Sequence, residues 1–142
     1  MNNPYLTRIA STGLLIILFL FVLFHLLILT GVVPFDAVWG GRLKDREQML
    51  AFESVSILMN LVMLAVVSTH AGVLRVNINR RLVKALLWGM FLLFLLNTIG
   101  NAFSTNELEK GIFTPLTLLM AFFSLVLARS KGEASTSANM KE

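Results

Sequence analysis

His25 lies inside a long apolar stretch of this 142-residue chain, and Glu53 lies immediately before another, within the predicted helix. Ionisable groups within membrane-spanning segments are candidate functional sites, because burying them in hydrocarbon is costly. An imidazole beside a carboxyl group can pass a proton to or from a bound molecule, and such a pair can also be the charged centre of a binding site. The alternative is a structural role, because Glu53 lies shallow enough to reach the lipid headgroups.

Three asparagines accompany this pair. Asn60 lies on the same helical stripe as Glu53, and Asn97 and Asn101 share one face of the next apolar stretch, since residues three and four apart lie on one side of a helix. Counting the helical rise puts all five polar residues roughly 4 to 15 Å below one membrane boundary. We therefore expect them to meet inside the protein, either as a shared polar site or as interhelical hydrogen-bonding groups.

A loop at residues 33–43 lies above this polar group. Trp39 and Arg42 flank a Gly-Gly pair in it, and glycine allows close backbone approach. Arg42 can bind a phosphate or carboxylate through its planar guanidinium, so we place both residues among the candidate ligand-binding residues. The alternative is an interfacial tryptophan anchor with an ion pair between Asp36 and Arg42.

Four apolar stretches must position these residues. They lie at 9–30, 54–73, 85–103 and 112–128, and each approaches or exceeds the roughly 20 residues that a helix needs to cross a bilayer. The pattern predicts helices at about 9–31, 50–73, 82–104 and 108–129 in one domain, 1–129, followed by a disordered cytoplasmic tail, 130–142. The predicted fold class is an all-α integral membrane protein, an antiparallel four-helix bundle.

Basic residues predict the orientation of this bundle. They flank the helices on one side of the predicted membrane: Arg8, Arg75, Arg80, Arg81, Lys84, Arg129 and Lys131. Cytoplasmic loops carry an excess of lysine and arginine, so we expect both termini in the cytoplasm and a multi-pass protein of the cell inner membrane.

The composition excludes several classes of function. The chain is 56% hydrophobic and 14% charged, far from a soluble domain, and it contains no cysteine, which rules out disulfides, thiolate metal sites and iron–sulfur clusters. We expect no metal and no cofactor. The net charge of +4 comes from residues at helix ends without an aromatic-interleaved basic face, so the expected partner is membrane lipid and not nucleic acid.

Three segments carry a resemblance. They are Pro-Phe-x-x-x-Trp-Gly-Gly-Arg at 34–42, Phe-Glu-Ser-Val-Ser-Ile-Leu at 52–58 and Leu-Asn-Thr-Ile-Gly-Asn at 96–101. All three look like parts of small, uncharacterised four-helix membrane proteins of bacteria. The resemblance implies a bacterial inner-membrane setting and brings no activity with it. It supports treating Trp39, Arg42, Glu53, Asn97 and Asn101 as one set.

Three functions compete. The first is a ligand-binding membrane protein with an outward-facing cavity for an amphipathic or lipid-like molecule, in keeping with sites that are mostly apolar with a few convergent polar groups. The second is a non-catalytic accessory subunit that packs against a larger membrane protein or a second copy of itself. The third is an enzyme on a lipid-soluble substrate, with Glu53 and His25 as acid and base.

Overall fold

Four helices account for most of the chain in the computed structural model, which describes residues 3–35, 43–107 and 109–130. They are α1 (Pro4–Leu29), α2 (Arg46–His70), α3 (Arg80–Ala102) and α4 (Thr114–Arg129), and a π-helical turn (Glu109–Phe113) leads into α4. No strand occurs among the described residues. Counting the π-helical turn with α4, all four helices are long and apolar enough to cross a membrane. The prediction of an all-α protein with four helices of spanning length is confirmed.

Polar caps, and not the apolar runs, set the starts of the first three helices. Asn3, Asp45 and Asn79 each accept a hydrogen bond from a backbone N–H in the first turn, which satisfies donors that have no partner within the helix. The helices therefore begin at residues 4, 46 and 80, ahead of the predicted starts at about 9, 50 and 82. A hydropathy boundary marks where a membrane would begin, whereas a cap marks where the backbone becomes helical.

Glycines end α1 and α2. Gly31 and Gly72 have φ angles of +80° and +72°, a left-handed conformation that side chains with a Cβ rarely adopt. Beyond Gly72, the N–H of Val73 donates to the carbonyl of Ser68 at 2.9 Å. This pattern closes the last turn of α2 before the basic link to α3.

Neighbouring helices run antiparallel. His25, near the end of α1, contacts Glu53, near the start of α2, and Thr98, near the end of α3, contacts Thr117, near the start of α4. α1 packs closely along α2 and α3 packs closely along α4, whereas α2 and α3 touch only sparsely. We call the end of the bundle that contains these contacts the His25 end. At the His25 end, the sparse contact between α2 and α3 leaves room for a cavity between these two helices.

The core and the outer surface are both apolar. A central cluster of buried side chains runs through the bundle, and its largest fully buried members are Leu14, Leu18, Val67, Leu87, Met120 and Leu127. Between α1 and α4, a Cβ added to Gly13 would lie 2.5 Å from the ring of Phe123. Only a residue without a side chain allows this approach, which is typical of helix packing where small residues bring backbones together.

Candidate functional site

The candidate site centres on a contact between α1 and α2. The Nδ1 atom of His25 lies 2.6 Å from Oε2 of Glu53. The Glu53 side chain is 0% exposed, whereas that of His25 is 16% exposed. An ionised carboxylate only accepts hydrogen bonds, so in that state Nδ1 carries the proton and donates it to Glu53. The hydrogen bond orients the ring and leaves Nε2 as the nitrogen that can accept a proton or bind a ligand.

The exposed part of His25 borders an interhelical cavity of about 320 Å³. This volume lies at the lower end of the range for small-molecule sites. All four helices and the π-helical turn contribute to its lining: Phe21, Phe24, His25, Ile28, Val55, Ser56, Met59, Asn60, Met63, Leu93, Phe94, Asn97, Asn101, Glu109, Phe113 and Thr117. Four of the predicted site residues are therefore in one lining, and Glu53 is connected to it through His25.

The three asparagines occupy different positions around the cavity. Asn60 is buried, and its Nδ2 donates to the carbonyl of Ser56 at 2.8 Å within its own helix. Asn101 is half-buried, and Asn97 is exposed, although its helical phase predicts an inward position. Among the described residues none of the three side chains forms an interhelical hydrogen bond, so none of them joins helices in the way the structural alternative requires.

A threonine pair does form such a link. The hydroxyl of Thr98 donates to Oγ1 of Thr117 at 3.0 Å, and Thr117 donates to the carbonyl of Phe113 at 2.7 Å. Both threonines are buried. This pair joins α3 to α4 beside the cavity and holds that wall in place.

The exposed lining residues locate the opening of the cavity. Val55 and Met59 on α2 and Asn97 on α3 are exposed, whereas Asn60, Met63 and Phe94 are buried. α2 and α3 are the sparsely contacting pair, and the link between them, 71–79, lies at the opposite end of the bundle. The cavity therefore opens sideways between α2 and α3.

Aromatic rings form the opposite wall. The ring of Phe113, in the π-helical turn, lies 6.1 Å from that of Phe21 and 5.7 Å from that of Phe24, measured between centroids. Such edge-on and tilted arrangements are favourable for aromatic pairs. These contacts fix the π-helical turn against α1 and give the cavity one apolar, aromatic side.

Sequence reasoning gave Glu109 no part in the candidate site. The residue is 7% exposed and lines the cavity, and its Oε2 accepts a hydrogen bond from the Ser104 hydroxyl at 2.5 Å. A signal was available in the spacing, because counting back in fours from Thr117 reaches Phe113 and then Glu109, and all three residues line the cavity. The predicted helix start at about 108 included this residue but did not assign its face.

Two predicted site residues, Trp39 and Arg42, lie outside the described residues, so their part in the site stays a prediction. At the opposite end of the bundle, Nε2 of His70 lies 2.9 Å from the Ser130 hydroxyl, and both residues are buried. His70 is therefore remote from the cavity and links α2 to α4.

Within the described ranges, no three His, Asp or Glu side chains lie close enough together to hold a metal ion. The residues at the cavity can instead bind a molecule through hydrogen bonds, charge and apolar contact, or transfer a proton through His25. No known protein family, curated protein or solved structure matches this chain.

Proposed function

We propose that this protein is a multi-pass membrane protein that binds an amphipathic, lipid-like molecule in the interhelical cavity. The observation that carries the proposal is the cavity itself, which combines His25, Asn60, Asn97, Asn101 and Glu109 with an otherwise largely apolar and aromatic lining. A site of this composition suits a ligand with one polar end and one apolar end.

The position of the opening supports a ligand that comes from the bilayer. The gap between α2 and α3 lies on the side of the bundle, and the apolar side chains of Val55 and Met59 border it. A polar end inside the cavity could hydrogen-bond the carboxamides there, while the apolar chain leaves through the gap into hydrocarbon. Asn97 and Asn101 have no hydrogen bond to another helix among the described residues, so their carboxamides can bond to a ligand.

The proposal includes a location and an orientation. We propose that the end of the bundle with the α2–α3 link is cytoplasmic. The basic residues of that link, together with Arg8 and Arg129 at the same end, support this by the positive-inside rule. The His25 end then faces outward. The resemblance of the segment at 34–42 and the two segments that accompany it supports the bacterial inner membrane as the proposed location.

Photolabelling tests ligand binding. The chain is purified in micelles of an uncharged maltoside and irradiated with a fatty alcohol that carries a diazirine near its hydroxyl, and the labelled residues are identified by mass spectrometry. Excess unlabelled alcohol should suppress labelling at Val55 and Met59 in the cavity. Labelling at Leu58 and Leu92, which are 61% and 55% exposed outside the cavity, should not saturate.

A cavity-filling variant provides the second arm. Ser56→Phe places a ring in the cavity and should abolish saturable labelling, whereas Ser54→Phe adds the same ring at an exposed position outside it. Labelling of the wild-type protein that is uniform over cavity and lipid-facing residues contradicts the proposal. The accessory-subunit hypothesis would then lead, and a stoichiometric partner or a second copy should co-purify with the chain.

One observation favours a second candidate, an enzyme acting on a lipid-soluble substrate. His25 is oriented by Glu53 and borders the cavity, which is the arrangement that a general base requires. Incubation of the purified protein with a total bacterial lipid extract should then yield a product that His25→Gln does not form. A lipid profile that does not change with time excludes this candidate for the lipids in that extract.

A further inference from the structure

The second buried carboxylate, Glu109, suggests which polar end the cavity accepts. Its Oε2 accepts the Ser104 hydrogen bond, and its other carboxyl oxygen has no hydrogen-bond partner among the described residues. No side-chain oxygen in the described part of the chain is both enclosed and without a partner. The second carboxyl oxygen of Glu109 is therefore accessible, although the residue as a whole is only 7% exposed. Because Glu109 lines the cavity, this oxygen can contact a ligand there.

The other charged groups at the cavity do not offset this carboxylate. With Glu53 ionised, the His25–Glu53 pair carries a net charge of zero or minus one, depending on whether the imidazole is protonated. No lysine or arginine of the described ranges lines the cavity. A charged group moved out of water needs an opposite charge close by, so this lining favours a cation over an anion.

The aromatic wall favours the same class of ligand. The rings of Phe21, Phe24 and Phe113 all line the cavity and pack against each other in tilted arrangements. The face of an aromatic ring is electron-rich, whereas its edge is electron-poor. Ammonium groups, including quaternary ones, are attracted to aromatic faces within about 6 Å. A carboxylate and aromatic rings in one lining can together hold such a group without a strong hydrogen-bond donor on the ligand.

We propose that the ligand of the interhelical cavity is a lipophilic cation, an amine or quaternary ammonium whose apolar chain leaves between α2 and α3, with Glu109 as its counter-ion. This inference rests on the proposed function, because it assigns a headgroup to the same cavity. It goes further because it predicts different affinities for ligands that have the same apolar chain and differ only in the charge of the polar end.

Competition experiments test the charge preference. Dodecyltrimethylammonium, dodecanol and dodecyl sulfate are each titrated as competitors of the diazirine-bearing alcohol on the wild-type protein. The concentration of each competitor is expressed as its mole fraction in the maltoside micelle, so that differences in partitioning cancel. The ammonium should displace the probe at a mole fraction about tenfold or more below that of dodecanol, a difference of about 1.4 kcal/mol or more, because its charge is attracted to the Glu109 carboxylate and to the aromatic faces. Dodecyl sulfate should be the weakest competitor.

Two matched variants assign the preference to one carboxylate. Glu109→Gln keeps the shape and the Ser104 hydrogen bond while removing the charge. It should reduce the advantage of the ammonium over the alcohol about fivefold or more, or about 1 kcal/mol, and leave the part that the aromatic rings contribute. Glu107→Gln removes an equal charge from an exposed position at the same end of the bundle and should retain the wild-type ranking. Thermal unfolding of each variant verifies that it is folded.

The outcomes separate the two proposals. If the probe labels the cavity saturably but the three competitors displace it equally from the wild-type protein, the cation proposal is wrong and the amphiphile proposal stands. A preference for the ammonium that is undiminished in a folded Glu109→Gln variant also overturns the role of Glu109. If no saturable labelling occurs, the proposed function itself has failed. The wild-type ranking needs no variant and decides the charge preference even if Glu109→Gln does not fold.

Discussion

Removing the imidazole of His25 should destabilise the protein more than its volume alone predicts. In the structure Nδ1 of His25 lies 2.6 Å from the carboxylate of Glu53, which is fully buried. In His25→Leu, the leucine side chain fills most of the space of the imidazole. The Glu53 carboxylate, however, loses its charge-assisted hydrogen bond to Nδ1 in a region of low dielectric. Breaking one partner of a buried ionic pair typically costs about 3–5 kcal/mol, because a charge is left incompletely compensated.

A double-mutant cycle measures how much of this cost belongs to the pair. Glu53→Gln keeps the shape and a hydrogen-bonding oxygen of the side chain while removing its charge. His25→Leu should therefore cost less in the Glu53→Gln background than in the wild-type protein. We expect a coupling of about 1.5–3 kcal/mol, the range for hydrogen bonds to charged groups. Other contacts of Glu53 cancel in the cycle, since they are present or absent equally with and without His25.

Equilibrium unfolding in mixed micelles provides the free energies. The chain is titrated with sodium dodecyl sulfate in maltoside micelles, and helix loss is followed by circular dichroism for the wild type, both single variants and the double variant. Thr98→Val and Thr117→Val form a control cycle on a buried neutral pair with a 3.0 Å contact, where coupling of about 0.5–1.5 kcal/mol is expected. A coupling at His25 and Glu53 within about 0.5 kcal/mol of zero, the limit of ordinary additivity, would refute the charged contact.

Helical phase and depth were enough to predict this contact from the sequence. His25 and Glu53 lie on the polar stripes of consecutive segments and at similar counted depths, and consecutive spanning helices run antiparallel. The structure joins the two residues at 2.6 Å. The number and type of helices were predictable for a related reason, because a continuous apolar run of about 20 residues has few other stable structures in a membrane.

Phase alone could not predict the positions of Asn97 and Glu109. It identifies the polar face of α3 but not how closely the adjacent helix approaches, and Asn97 is exposed because α2 and α3 contact each other sparsely. Glu109 lies in a π-helical turn before Pro115. Proline has no backbone N–H to continue regular helical hydrogen bonding, so the sequence does not show that the four-residue spacing from Thr117 continues back to Glu109. Both positions depend on local geometry that hydropathy does not record.

Two further predictions test the orientation and the packing. The chain has no native cysteine, so Lys44→Cys should react in intact cells with a maleimide that cannot cross membranes, whereas Val76→Cys should react only after permeabilisation; the reverse pattern contradicts cytoplasmic termini. Gly13→Ala should lower the free energy of unfolding in mixed micelles by about 1–3 kcal/mol, the usual cost of overpacking, because its Cβ would lie 2.5 Å from the Phe123 ring. Gly89→Ala has nothing within 4 Å of the added Cβ and should be neutral or stabilising by up to about 1 kcal/mol, the difference in helix propensity. Because both substitutions add the same methyl group to a helix interior, an equal effect at the two positions would show that α1 and α4 are not in close contact at Gly13.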